Sequence, residues 1–295
     1  MVSIKKKNIN SNTYYYLEHS FRKNGKIDKK EKYLGPTLPK KIDQVKEEFL
    51  REFYQETWFI GFDTIKEQFI KEKRNISPSM EKKETEQFAT AFTYNTNRIE
   101  GSTITLRETA DILERGISPS QRPLEDIKET ESHKVVFYDM FQYNKEITLS
   151  TVLYWHKQLF QFTKPDVAGK IRQHQVGISG SKFRPPYPIE LDLLLRDFFD
   201  WYNQNKKKLH PVHLAGLVHL KFVTIHPFGD GNGRISRLLM NYVLNKNGYP
   251  MLIIPYSQRM SYYTALERSQ SKKDESVFIL WFFKRYLKEC KQYLK

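Results

Sequence analysis

From Ile42 onward the apolar residues of this chain recur three and four apart, and that spacing limits the possible folds more than any other feature. Val45, Phe49 and Phe53, then Trp58, Phe62, Ile65 and Phe69, follow it with charges between them, so an α-helical body begins here. The same reading predicts helices over 84–99, 106–115, 124–144, 150–160, 189–205, 211–225, 235–247, 261–270 and 274–294. Residues 171–183 break the pattern. There Ile171, Val176, Ile178 and Phe183 are separated by Gly177 and Gly180 and read as a short hairpin ahead of Pro185-Pro186. Before the helices, 14–34 holds two strand-like runs around Lys23-Asn24-Gly25-Lys26, and Asn-Gly suits a tight turn because both of its positions need positive φ. Tyr15, Leu17 and Phe21 share one face of this ribbon, which is marginal alone and must dock on something. Gly35-Pro36 and Pro39 end it. The expected class is mainly α: a basic β-hairpin and linker over 1–41, then a helical body over 42–295.

With 39% hydrophobic residues, four Trp, 18 Tyr and 20 Phe in 295 residues, the chain can fill a substantial core. No apolar run reaches the roughly 18 residues of a membrane helix, and Met-Val-Ser-Ile-Lys-Lys-Lys lacks the apolar stretch of a secretory signal. A cytoplasmic protein with no membrane partner is expected. The single Cys290 has no internal disulfide partner and reads as a packed thiol. Of the net charge of +15, about half lies in residues 1–41, where eleven Lys and Arg face three acids. Nucleic acid is therefore a candidate accessory partner of the ribbon, which reads equally as a solvated edge protected from aggregation.

The string that carries chemistry is His226-Pro227-Phe228-Gly229-Asp230-Gly231-Asn232-Gly233-Arg234-Ile235-Ser236-Arg237. Pro227 ends one helix, and Gly231 and Gly233 let the backbone bend so that successive amides face one concavity. A second helix starts beside them, and its free amides make an anion cradle suited to phosphate. Arg234 and Arg237, three apart on its first turn, share a face. Asp230 is a hard oxygen ligand suited to Mg²⁺ held jointly with phosphates, and His226 titrates near neutral pH and is the natural general base. Singly each has an ordinary structural reading; a base, a carboxylate, a cradle and two cations within twelve residues have few structural reasons to coincide. A metal site built from His210, His213, His219 and His226 is disfavoured, because spacings of three, six and seven do not place ligands together on one helix.

The string resembles the signature of the Fic family, His-x-Phe-x-(Asp/Glu)-Gly-Asn-Gly-Arg-x-x-Arg, at every specified position, and the likeness extends over about 85–280. The resemblance implies an all-helical core that binds ATP with Mg²⁺ and transfers AMP to a Ser, Thr or Tyr hydroxyl of a target protein. It implies that His226 deprotonates that hydroxyl, that Asp230 holds Mg²⁺, that Gly231, Asn232, Gly233 and Arg234 cradle the phosphates, and that Arg237 binds the γ-phosphate. Tyr263 and Gln270 fall where the family's adenine-side helix would be, and Gln173, His174, Gln175, Val176, Gly177 and Ile178 where its target-binding flap would be. Self-modification and a homodimer are further expectations. Upstream, Thr96-Asn97-Arg98-Ile99-Glu100-Gly101 resembles the family's inhibitory pattern (Ser/Thr)-x-x-x-Glu-(Gly/Asn), which implies that Glu100 pairs with Arg237 and blocks the γ-phosphate position. Removal of AMP is one alternative reaction. Phosphoryl transfer of the Doc type is another, and Gly233 argues against it.

Overall fold

The computed structural model describes residues 2–23 and 26–294. Its compact units divide after Thr64, whereas the sequence reading divided the chain after residue 41.

The first unit opens on an antiparallel sheet of β1 (Val2–Ile9), β2 (Asn12–Lys23) and β3 (Lys26–Gly35), in that order. The expected ribbon is thus β2 and β3, and β1 is a strand the sequence reading missed because its Lys5-Lys6-Lys7 run carries no apolar alternation. Asn10 and Ser11, both at positive φ, make the β1–β2 turn. The expected Asn24-Gly25 turn lies outside the described residues. Leu17 and His19 are buried, and the rings of His19 and Phe21 lie 4.7 and 4.8 Å from that of Phe53 on α1 (Ile42–Tyr54). The charges of β3 pair with the same helical stretch, Lys32 with Glu52 at 3.0 Å and Lys30 with Glu56 at 2.5 Å. α1 passes through a π-helical turn, Gln55–Phe59, before α2 (Ile60–Asn75).

In the second unit follow α3 (Pro78–Ile99), α4 (Leu106–Arg115), α5 (Leu124–Gln142), α6 (Leu149–Phe160), α7 (Leu191–Asn205), α8 (Pro211–Ile225), α9 (Asn232–Lys246), α10 (Arg259–Lys272) and α11 (Glu275–Glu289). α4 and α8 match the expected bounds because both ends carry local signals. Thr105 and Glu108 form a capping box and Gly116 adopts the left-handed conformation after α4, while Pro211 opens α8 behind His210, whose ring accepts the Val212 N–H. α8 and α9 are buried on nearly every face and pack on each other; a Cβ at Gly216 would meet Phe282 and Ile279 of α11 at 2.9 and 3.0 Å. The two helices flanking the motif are therefore core elements with little freedom to move.

Residues 171–183 form a loop with a turn from Ile178 to Ser181, not a ladder-paired hairpin. Side chains tie its arms instead. Arg172 donates to the carbonyls of His174 (3.0 Å) and Pro186 (2.6 Å), Gln175 donates to that of Pro185 (2.9 Å), and the two prolines have no N–H to give a ladder. Among the described residues no helix is long and apolar enough to cross a membrane.

Buried histidines tie the second unit's stability to pH. Burial lowers the pKa of His133, His213 and His219 to about 3 and that of His156 to about 4. Below pH 6.5 the unfolded chain takes up protons that these folded rings refuse, so the stability they contribute is complete above that pH and falls as pH drops towards 4. Each ring contributes up to about 1.4 kcal/mol per pH unit, and the four together at most about 5–6 kcal/mol per unit. Thermal melts are expected to be flat above pH 7 and to fall steeply below pH 6; a flat profile down to pH 4.5 would show that these rings are charged in the fold.

Candidate active site

The loop between α8 and α9 is held by its own asparagine. Asn232 Oδ1 accepts the Phe228 N–H at 2.9 Å and its Nδ2 donates to the Phe228 carbonyl at 2.8 Å, so this side chain shapes the loop. The amides of Asn232, Gly233 and Arg234 precede the first intrahelical bond, from Ile235 N–H to the Gly231 carbonyl at 3.0 Å. Gly231 sits at φ 79°, and a Cβ there would collide with the Phe160 ring. His156 closes the loop from beneath: its Nδ1 accepts the Gly169 N–H at 2.8 Å, which leaves Nε2–H to donate to the Asp230 carbonyl at 3.0 Å, and its ring stacks on Phe228 with centroids 3.8 Å apart.

His226 caps α8 in the left-handed conformation (φ 54°). Its Nδ1 lies 3.1 Å from the Val223 carbonyl, which can only accept, so Nδ1 carries the proton and Nε2 keeps its lone pair. Burial lowers the pKa of the ring. Burial also opposes ionisation of Asp230, but Arg234 and Lys164 outweigh it and hold this carboxyl at about 2. Asp230 Oδ1 meets Arg234 at 3.1 Å and Oδ2 meets Lys164 Nζ at 2.7 Å. Arg234 is buried and also paired with Glu129. Glu100, Glu125, Glu129, Lys164, Asp230 and Arg234 line a cavity of about 220 Å³.

Arg237 is 1% exposed. It donates to Glu100 Oε1 at 2.5 Å, to the Thr96 carbonyl at 3.3 Å and to Tyr262 Oη at 3.3 Å. Glu100 caps the end of α3, and a Cβ at position 233 would collide with its carboxylate. The free amides at the start of α9 thus lie beside the protein's own carboxylate, and glycine at 233 is what allows it to lie there.

The structure brings His226, Asp230 to Arg234, Arg237 and Glu100 together. Tyr263 donates to the Ile99 carbonyl at 2.8 Å, next to Glu100, and Gln270 donates to Thr224 Oγ1 at 3.1 Å, two residues from His226. The loop 173–178 is largely exposed, and Arg172 latches it to the motif by donating to the His226 carbonyl at 2.9 Å. Glu129, Lys164 and His156 also stand in the site, and no motif in the sequence marks them. A carboxylate and a histidine on the apolar faces of predicted helices were the available signals for Glu129 and His156. Among the described residues no group of three or more His, Cys, Asp or Glu is placed to hold a metal, and the four histidines of α8 and its ends do not converge.

A helical hairpin whose turn presents a histidine beside free helix-start amides is the arrangement that the Fic resemblance implies. Residues 146–244 match the Fic/DOC family model, and the chain belongs to that family. It is 37% identical over 202 residues to the protein adenylyltransferase Fic of Drosophila ananassae, a match covering 67% of this chain and 39% of that protein. The corresponding values for the Drosophila melanogaster protein of the same name are 36%, 67% and 39%. The chain therefore spans about two-fifths of the length of these relatives. Among solved structures it resembles a Fic domain containing signaling protein from Bacteroides thetaiotaomicron, at 26% identity and a TM-score of 0.72, over 80% of this chain and 96% of that one. Fic-1 of C. elegans (residues 134–508) shares the fold at 24% identity and a TM-score of 0.71, over 85% and 74% of the respective chains.

Proposed function

We propose that the chain is a protein adenylyltransferase that moves AMP from ATP to a Ser, Thr or Tyr hydroxyl of a protein, itself included, and that Glu100 holds it in check. The observation that carries this reading is the 3.1 Å contact of His226 Nδ1 with the Val223 carbonyl, which leaves Nε2 of the neutral ring with its lone pair, beside a cradle of free helix-start amides and two buried arginines. His226 Nε2 takes the proton of the attacking hydroxyl, the new bond forms to the α-phosphorus, and the bond to the β-phosphate oxygen breaks with pyrophosphate leaving. The amides of Asn232, Gly233 and Arg234 stabilise the charge that develops on the phosphoryl oxygens. Arg237 takes the γ-phosphate once Glu100 yields it. The relatives named protein adenylyltransferase Fic support the reaction type.

Asp230 suits Mg²⁺: it is an ionised carboxylate on the cavity wall, and its Oδ2 already carries the Lys164 ammonium at 2.7 Å. Bound between that carboxylate and the phosphates, the ion would neutralise charge on the nucleotide. Tyr263 and Gln270 are proposed on the adenine side, and the 173–178 loop as the surface against which an extended target segment lies, its exposed backbone offering main-chain bonds.

ATP labelled at the α- or the γ-phosphate tests the reaction class with the Glu100→Gly variant. The expected result is stable label on protein from α-labelled ATP and none from γ-labelled ATP; the reverse pattern would make the chain a phosphotransferase.

A further inference from the structure

Lys164 lies outside every motif read from the sequence, yet three carboxylates converge on its ammonium. Nζ is 2.7 Å from Asp230 Oδ2, 2.8 Å from Glu125 Oε1 and 3.1 Å from Glu129 Oε1. The backbone there is fixed, because the Lys164 N–H donates to the Phe160 carbonyl at 2.8 Å and its own carbonyl accepts from Val167 and Ala168 at 3.1 and 3.0 Å. Only the side chain is free to swing, and it is 32% exposed, whereas Arg234 on the other Asp230 oxygen is 4% exposed and locked to Glu129.

We propose that Lys164 is the protein's own counter-cation for Asp230, occupying that carboxylate when metal is absent and giving it up when a divalent cation arrives with the nucleotide. This rests on the adenylyl-transfer reading, which takes Asp230 as the metal ligand. An ammonium at 2.7 Å from Oδ2 and a divalent cation on the same oxygen repel each other at close range. One of them must leave. The lysine can do so at modest cost, because Glu125 and Glu129 still pair with it after it leaves Asp230, and its flexible four-carbon stem allows the movement. Without metal the ammonium does a different service. It shields a polyanionic triphosphate from Asp230, Glu125 and Glu129 along the cavity wall. Lys164 therefore favours metal-free nucleotide and opposes the metal complex, which weakens the dependence of nucleotide binding on metal.

The test is calorimetric binding of α,β-methylene-ATP, in which the bond to be broken is blocked, with Mg²⁺ and separately with EDTA, to the full chain and to its Lys164→Met and Lys164→Arg variants. The quantity read is the ratio of Kd in EDTA to Kd in Mg²⁺. It is expected to rise by about tenfold or more in Lys164→Met, the scale of one lost charge-assisted contact, and to stay near the wild-type value in Lys164→Arg, which keeps the cation. Because the ratio is taken within each variant, a partly unfolded fraction divides out. A Lys164→Met ratio equal to or below wild type would overturn the inference and make Lys164 a phosphate ligand or a plain structural pair. If the wild type binds no nucleotide in either condition, the adenylyl-transfer reading falls and takes this one with it; nucleotide binding with an unchanged ratio sinks this inference alone.

Discussion

Replacing His226 by alanine in a Glu100→Gly background is expected to lower the rate of AMP transfer by roughly 10²- to 10⁴-fold while nucleotide binding changes little. The reason is the tautomer. The Val223 carbonyl fixes the proton on Nδ1, so the ring meets an incoming hydroxyl with the lone pair of Nε2, and burial lowers the pKa so that the ring is neutral at physiological pH. In the unmutated ring the rate should therefore hold as pH falls to about 6.5, the ordinary histidine value, and drop only below it. Position 226 sits at φ 54°, where alanine is strained, so His226→Asn, better tolerated in the left-handed region, is the companion variant. Both should lose transfer equally. Single-turnover rates with α-labelled ATP, set beside calorimetric nucleotide affinity, separate the lost base from a disturbed cradle; a loss of nucleotide affinity that matches the loss of rate would place His226 in binding instead.

Glu100→Gly is expected to raise transfer by roughly 10- to 100-fold, the scale of a charge-assisted contact transferred from a carboxylate to a phosphate. The Glu100 carboxylate uses an N–H of a guanidinium that is 1% exposed, and it lies against the first turn of α9, where helix-start amides favour an anion. Its removal leaves Arg237 buried beside Thr96 and Tyr262 with no carboxylate partner, a state that a γ-phosphate relieves. Folding should tolerate the change, since Glu100 caps α3 at ordinary backbone angles and its side chain is 27% exposed. Initial rates across ATP concentrations check this, and a variant no faster than wild type would remove the brake from the account.

How much of this was visible in the residues depended on how local each signal was. That the motif residues come together was legible because histidine, carboxylate, glycines and arginines fall within twelve positions and need only one turn between two helices to assemble. α4 was legible because capping box and left-handed glycine both mark its ends. Strand β1 was not, since a lysine run paired along one edge of a sheet has no apolar period to betray it. The loop over 171–183 looked like a hairpin because alternation and glycines describe extended chain, and nothing in them says whether a ladder or an arginine such as Arg172 joins the arms. Lys164 and Glu129 escaped notice for a different reason. They reach Asp230 and Arg234 only through the packing of α5 and α6 beside α9, at separations of 66 and 105 residues along the chain.

AMP transfer restrained by Glu100 is tested by the intact mass of the Glu100→Gly protein after incubation with Mg²⁺ and ATP, beside wild type and the His226→Ala/Glu100→Gly double variant. An adduct of one or more AMP is expected on Glu100→Gly, little on wild type and none on the double variant. An unmodified Glu100→Gly protein with nucleotide bound, or an adduct that persists without His226, would contradict it.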